Sequence, residues 1–427
     1  MNGNFRKIKS EIEVLGDKSI SHRALMISSI SNGVTKIYNF LFSHDSIATM
    51  NCLKKLGVKI EIENQNVIVY GNGLHSFKFY DGVLNAENSG TTIRLLSGIL
   101  CGNKFNSIID GDDSLRRRPM DRIIKPLSLM GASIKAHRGE KFSPLYIEGK
   151  ELNGISYEME INSAQVKSSI LFGGIYGNGV TKVREKIKTR NHTENMLKHF
   201  GASIKVHENE VSIQKSEMNS NDIFIPGDIS SASFFITLFA CLKGCELKIK
   251  NVGINETRTG IIDVLKIMGV EIEFTNVREN NFEKICDIKV YGAENLNPVK
   301  INGEIIPRLI DEIPIICVLC CFAQGESIIE DIEELRYKES DRIKSIVKEF
   351  KKLNIDVCEI PSGIKIFGGN KIIPTEVDSH NDHRIAMALS ILSCVSGEHI
   401  PIKNKECVNI SFPNFYEKLN AIMKMLR

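Results

Sequence analysis

A repeat of about 70 residues limits what this chain can fold into more than any other feature. A helical pattern ending in a Gly stop, followed by a short strand rich in Val and Ile, recurs with glycines at 57, 131, 201 and 269. The copies read Leu56-Gly57-Val58, Met130-Gly131-Ala132, Phe200-Gly201-Ala202 and Met268-Gly269-Val270. A weaker fifth copy, Leu353-Asn354-Ile355, has Asn in the stop position. Gly and Asn are the residues that most readily take the left-handed conformation closing a helix. A second segment type alternates with the first, with polar cap residues leading into an apolar helix. Its copies begin at Ser19, Ser89, Ser163, Ser230, Asp311 and Asp382. Each unit then holds two helices joined by strands, and six units fill nearly all 427 residues.

A unit of this size buries too little surface alone, so the units must share cores. The natural partition is three units in each of two lobes, dividing near Ile225-Pro226-Gly227. Stretches such as Ile170-Leu171-Phe172 and Phe234-Phe235-Ile236 are apolar almost all round, which places their helices in the interior. The expectation is three buried parallel helices per lobe, covered by sheets, with their N-termini on one face. Each N-terminus carries roughly half a positive charge and free N–H groups. Two such faces opposed across a cleft would bind anions without a large net charge.

That net charge is indeed small, 55 − 52 = +3. It gives no global attraction to nucleic acid or to an anionic membrane. The longest near-apolar run, Ile313–Ala323, is far shorter than the roughly 20 residues that span a bilayer. Residues 1–7 contain no apolar segment of a secretory signal. Cys317, Cys320 and Cys321 lie inside the apolar run with no histidine nearby, which reads as a buried helix with free thiols rather than a zinc site. The chain reads as cytoplasmic and metal-free.

Polar strings cluster at the predicted helix starts: Asp17-Lys18-Ser19-Ile20-Ser21-His22-Arg23, Asn88-Ser89-Gly90-Thr91-Thr92, Arg116-Arg117-Arg118-Pro119, Ser163-Ala164-Gln165, Asp311-Glu312, Lys338-Glu339-Ser340-Asp341-Arg342 and Asn381-Asp382-His383-Arg384. The first is no P-loop, since Asp17 stands where the Gly-Lys pair would be. Gly90 at a helix start allows a ligand close to backbone, and Pro119 suits a first helical turn. Each string alone has a bland reading, as an N-cap, a solvated basic turn or an i,i+4 pair. Seven strings in register with the repeat share one surface, and that is harder to dismiss.

Together these strings resemble the 5-enolpyruvylshikimate-3-phosphate (EPSP) synthase family, from about Ile12 to Leu419. Gly16–Arg23 and Arg336–Arg342 carry the resemblance most specifically, supported by Asn381–Arg384. It implies an α/β, two-lobed enolpyruvyl transferase fold, each lobe three βαβαββ units around buried parallel helices, an inside-out α/β barrel. The N-terminal lobe would be 18–224. The C-terminal lobe would be 1–14 plus 228–427, with the N-terminal strand included and hinge crossings near 15–18 and 225–228.

The resemblance further implies transfer of the enolpyruvyl group of phosphoenolpyruvate to the 5-hydroxyl of shikimate 3-phosphate, through a tetrahedral intermediate that loses phosphate, in aromatic amino acid biosynthesis. It implies no cofactor, no nucleic-acid or membrane partner, and a monomer. By motif position Lys18, Ser19, Arg23, Ser163, Ala164, Gln165, Asp311 and Lys338 would hold shikimate 3-phosphate. Lys18, Gly90, Arg118, Gln165, Arg342 and Arg384 would hold phosphoenolpyruvate. Asp311 would be the base for the 5-hydroxyl proton, and Glu339 would exchange a proton with the methylene carbon. Lys18, expected among arginines, is a rival donor. Arginine suits these multiply anionic substrates because it grips carboxylate and phosphate bidentately.

The chain also departs from the better-known form of the family. His22 stands for an Asn, Ser89 and Thr92 stand for Ala, Ala164 for Ser, and Ile410 lies near a Lys position. Thr189-Arg190-Asn191-His192 differs as well and takes no assignment. The sister transferase acting on UDP-N-acetylglucosamine is disfavoured, because Lys18 is followed by Ser rather than Asn and the stretch around Arg116–Pro119 has no Cys. A nucleic-acid-binding repeat protein is disfavoured by the lack of aromatic residues in the basic strings and by the absence of Trp.

Overall fold

The structure, a computed structural model, describes residues 7–426. The expectations for residues 1–6 and Arg427 lie outside the described residues. The chain divides into two compact units. One comprises Gly16–Ile225 with Asn280–Phe282, and the other comprises the described residues up to Leu15, Pro226–Glu279 and Glu283 onward.

In the first unit the helices are α1 (Lys18–Ser29), α2 (His44–Lys55), α3 (Gly90–Cys101), α4 (Asp121–Leu129), the single turn α5 (His137–Glu140), α6 (Ala164–Gly174) and α7 (His192–His199). The repeat is plainest in its middle third. Strand Val83–Asn85, α3, strand Asn106–Asp110, α4, and strands Ser133–Ala136 and Phe142–Glu148 follow in βαβαββ order. The first two strands pair in parallel and the last two join antiparallel. The segment from Ser156 to Gln214 repeats this arrangement. The segment opening with α1 takes its first, parallel strand from Ile223–Phe224 at the far end of the unit.

The second unit holds α8 (Ile229–Ala240), α9 (Gly260–Ile267), α10 (Ile313–Phe322), α11 (Arg342–Lys352), α12 (His383–Ser396) and α13 (Phe415–Leu426). Its first sheet borrows the N-terminal strand Lys9–Glu13, which pairs in parallel with Glu246–Gly253. Its last repeat keeps two short parallel strands, Val377–Asp378 and Ile402–Lys403, and closes with α13.

The five stop residues do what the repeat requires. Gly57, Gly131, Gly201, Gly269 and Asn354 have φ of +87°, +94°, +87°, +89° and +63°. Each closes a helix by the same two bonds: in the copy after α7 the Gly201 N–H reaches the Lys198 carbonyl at 3.1 Å and the Ala202 N–H reaches Leu197 at 2.9 Å. That is a Schellman end, and it turns the chain directly into the next strand.

Every residue of α8 is buried, α1 is buried from Ile20 onward, and α3 is buried except at Thr91. Each unit has one continuous apolar core built around three such helices. The helices lie with first turns together: Gln165 Nε2, in the first turn of α6, donates to Thr91 Oγ1 in the first turn of α3 at 3.0 Å. In the other unit the Ser230 hydroxyl, in the first turn of α8, donates to Glu312, the residue capping α10. Adjacent first turns mean parallel helices. Gly98 allows the closest approach, since a Cβ there would lie 2.3 Å from the Ser169 carbonyl oxygen of α6.

Several helix starts differ from the sequence expectation. Asp17 caps α1 and Asp228 caps α8, so Ser19 and Ser230 fall inside the first turn. Asp311 precedes the Glu312 cap, which makes no side-chain capping bond. Pro119 lies ahead of α4, which begins at Asp121. Ser89, Ser163 and Asp382 are caps, their side chains accepting from Thr92, Val166 and Arg384 N–H.

Candidate active site

In the first unit the predicted site residues gather at the starts of α1, α3 and α6. Arg23 is buried and braced on three sides. Its Nε donates to Thr193 Oγ1 at 2.6 Å, Nη2 to Ser168 Oγ at 2.8 Å and Nη1 to the Ser19 carbonyl at 3.0 Å. Ser163 caps α6, and Ala164 and Gln165 form its first turn. The Gln165 side-chain oxygen Oε1 accepts from Arg94 Nη1 at 2.5 Å. Arg118 follows a short 3-10 turn, Leu115–Arg117, and its Nη2 donates to Asn88 Oδ1 at 2.7 Å and Ser114 Oγ at 3.1 Å. The Gly90 backbone faces these cations. A Cβ there would come within 3.0 Å of Arg94 Nη1 and 3.4 Å of Arg118 Nη1. Lys18, the first residue of α1, has its ammonium 2.9 Å from Asp45 of α2, a carboxylate partner the sequence did not announce.

In the second unit Asp311, Lys338, Glu339, Arg342 and Arg384 form one network. Asp311 Oδ1 lies 3.4 Å from Lys338 Nζ, 3.4 Å from Arg342 Nη1 and 3.9 Å from Arg384 Nε. Arg342 is fully buried, pairing with Glu339 at 2.7 Å and Asp382 at 2.8 Å. Burial opposes its charge, but the carboxylates of Asp382, Glu339 and Asp311 raise its pKa further. Burial likewise opposes the Asp382 carboxylate, and Arg342 holds it below its ordinary range. Arg384 Nη1 donates to the Asp311 carbonyl at 3.0 Å.

Each unit thus brings its own predicted residues together. Sequence reading missed Asp45, Arg94, Ser168, Thr193, Glu312 and Asp382 as partners. Glu312 and Asp382 stood in the quoted strings, and the helical spacing of Arg94 from Gly90 was a usable signal. Ser168 and Thr193 gave none. Arg116 turns away from this set and pairs with Asp110 at 2.6 Å. Among the described residues no group of His, Cys, Asp or Glu is arranged to hold a metal ion, and no helix is long and apolar enough to cross a membrane.

Six-fold repetition, buried parallel helices and clustered cations at their starts define the enolpyruvyl transferase class, and solved structures agree. EPSP synthase from Acinetobacter baumannii superposes with TM-score 0.86 at 39% identity, covering 98% of this chain and 96% of that one. The enolpyruvyl transferase NikO from Streptomyces tendae, at 14% identity, shares the fold with TM-score 0.77 over 97% and 95% of the two chains. Residues 4–419 match the family EPSP synthase (3-phosphoshikimate 1-carboxyvinyltransferase). Relatives named 3-phosphoshikimate 1-carboxyvinyltransferase are 49% identical in Thermodesulfovibrio yellowstonii, over 98% of both chains. In Alkaliphilus metalliredigens the figure is 48%, over 99% of this chain and all of the other. The chain belongs to the EPSP synthase family.

Proposed function

We propose that this chain transfers the enolpyruvyl group of phosphoenolpyruvate to the 5-hydroxyl of shikimate 3-phosphate, with the residues in the following roles. Lys18, Ser19, Arg23, Ser163, Ala164, Gln165, Asp311 and Lys338 hold shikimate 3-phosphate. Lys18, Gly90, Arg118, Gln165, Arg342 and Arg384 hold phosphoenolpyruvate. Asp311 takes the proton of the 5-hydroxyl as its oxygen bonds to C2 of phosphoenolpyruvate. The methylene carbon gains a proton from Glu339 or Lys18. The tetrahedral adduct then returns that proton and expels phosphate, leaving the enolpyruvyl ether.

One observation carries the reading. The Asp311 carboxylate lies among three cations, Lys338, Arg342 and Arg384. A base for an alcohol can thus sit beside groups that neutralise two anionic substrates. The working species in this reading is a monomer in the cytoplasm, where the eleven cysteines would stay reduced.

Phosphate release from phosphoenolpyruvate tests the reading. It should require shikimate 3-phosphate, and UDP-N-acetylglucosamine should not substitute. Asp311→Asn should fold normally and lose kcat by roughly 10²–10⁴-fold. Turnover near the parent rate would remove Asp311 as the base.

A further inference from the structure

His22, Ser89 and Thr92 are three of the places where this sequence departs from the better-known family form. The structure joins all three through a fourth residue, Thr49. His22 Nδ1 lies 2.7 Å from Thr49 Oγ1, Thr49 Oγ1 lies 2.6 Å from Thr92 Oγ1, and Thr92 Oγ1 donates to Ser89 Oγ at 2.7 Å. All four residues are buried, each with no more than a trace of exposure. Ser89 Oγ is also the cap of α3, accepting the Thr92 N–H at 3.1 Å. The next residue is Gly90.

We infer that His22, Thr49 and Thr92 are positioning residues for phosphoenolpyruvate: with Ser89 they form one ordered hydrogen-bond chain that holds the first turn of α3, and Gly90 with it, in its binding geometry. The inference rests on the proposed role of Gly90.

The chain must order as a unit because each hydroxyl has a single hydrogen. With the Thr92 hydrogen given to Ser89, Thr49 donates to Thr92 and His22 Nδ1–H donates to Thr49. The imidazole is then neutral with Nε2 bare, and Nε2 has no hydrogen-bond partner. Removing one hydroxyl leaves the others without a defined direction, and buried chains of this kind lose more than one pairwise bond.

Helix α2 is the shared support. Asp45 and Thr49 lie one turn apart on it, as Lys18 and His22 do on α1, so α1 and α2 meet in two rungs, Lys18–Asp45 and His22–Thr49. The second rung continues to α3. Lys18, assigned to both substrates, and Gly90, assigned to phosphoenolpyruvate alone, are thereby referred to one helix, but the Lys18–Asp45 rung does not pass through Thr49. Arg23 has braces of its own, Thr193, Ser168 and the Ser19 carbonyl. Loss of the Thr49 hydroxyl leaves the Lys18–Asp45 rung in place and loosens the support of Gly90, so the effect should fall on phosphoenolpyruvate.

Thr49→Val keeps the shape and deletes the hydroxyl. It should raise the KM for phosphoenolpyruvate roughly tenfold and leave the KM for shikimate 3-phosphate within about twofold. Thr49→Ser should restore the parent values. Thr49→Val combined with Ser89→Ala should cost little more than either alone, since both break one chain. Should Thr49→Val fail to fold, Thr92→Val against Thr92→Ser makes the same comparison. Equal shifts in both KM values, no shift, or no rescue by Ser would overturn the inference. Gly90→Ala, run in parallel, separates two failures. If it raises the phosphoenolpyruvate KM while the Thr variants do not, the hydrogen-bond chain is irrelevant and the site stands. If it too is silent, the assignment of Gly90 falls and the inference with it.

Discussion

His22 is fully buried, and burial together with the nearby Lys18 and Arg23 charges pushes its pKa well below the ordinary value. The folded protein therefore keeps it neutral where the unfolded chain protonates it. Below pH of about 6.5 the unfolded state binds the extra proton, so stability falls as pH drops from that value toward the folded-state pKa. The slope from one such group approaches about 1.4 kcal/mol per pH unit. Urea midpoints between pH 7.5 and 5.5 should decline in the parent and decline less in His22→Gln. Identical acid slopes would show that His22 does not carry the linkage. At this scale residue types were legible in the sequence and their partners were not. Nothing near Lys18 announces that its counter-ion is Asp45, 27 positions away. Nothing in Arg23 announces Thr193, 170 positions away. Such pairings are set by which helices pack together, and no local pattern encodes that.

Helix ends show the opposite balance. The stop at Gly57, Gly131, Gly201, Gly269 and Asn354 was readable because a left-handed residue followed by a strand is a local requirement, satisfied within six residues. Helix starts were less readable. Asp17 and Ser19, or Asp228 and Ser230, are equally good caps by type, and tertiary packing chooses between them. Gly201 gives the cleanest test of the stop. Its φ is +87° and a Cβ would meet nothing within 4 Å, so substitution acts through backbone conformation alone. Gly201→Ala should cost about 1–2 kcal/mol in urea unfolding, and Gly201→Asn clearly less, as Asn354 in the fifth copy anticipates. Equal costs for Ala and Asn would mean the left-handed conformation is not what the position demands. Gly98→Ala should be much worse than Gly201→Ala, because its Cβ would lie 2.3 Å from a backbone oxygen of α6. An order reversed between these two would mean that α3 and α6 can separate at little cost.

Across the whole molecule, the eleven cysteines test whether thiol chemistry has any part in the reaction. All eleven are thiols outside any disulfide, eight of them buried and Cys358, Cys394 and Cys407 partly exposed. Burial pushes the Cys52, Cys101, Cys286 and Cys320 thiols up to about 12 and Cys407 up to about 11. A thiol with a pKa that high supplies almost no thiolate near neutral pH, and thiolate is the reactive form. None of the residues assigned to either substrate is a cysteine, so modification of the accessible ones should spare the chemistry. Treated with an alkylating reagent at pH 7.5, the native protein should label at no more than the three partly exposed cysteines and keep most of its activity. In denaturant all eleven should label. Activity lost in step with a single modified thiol would point instead to a cysteine in the catalytic machinery, and the reaction would then need a route that does not centre on Asp311.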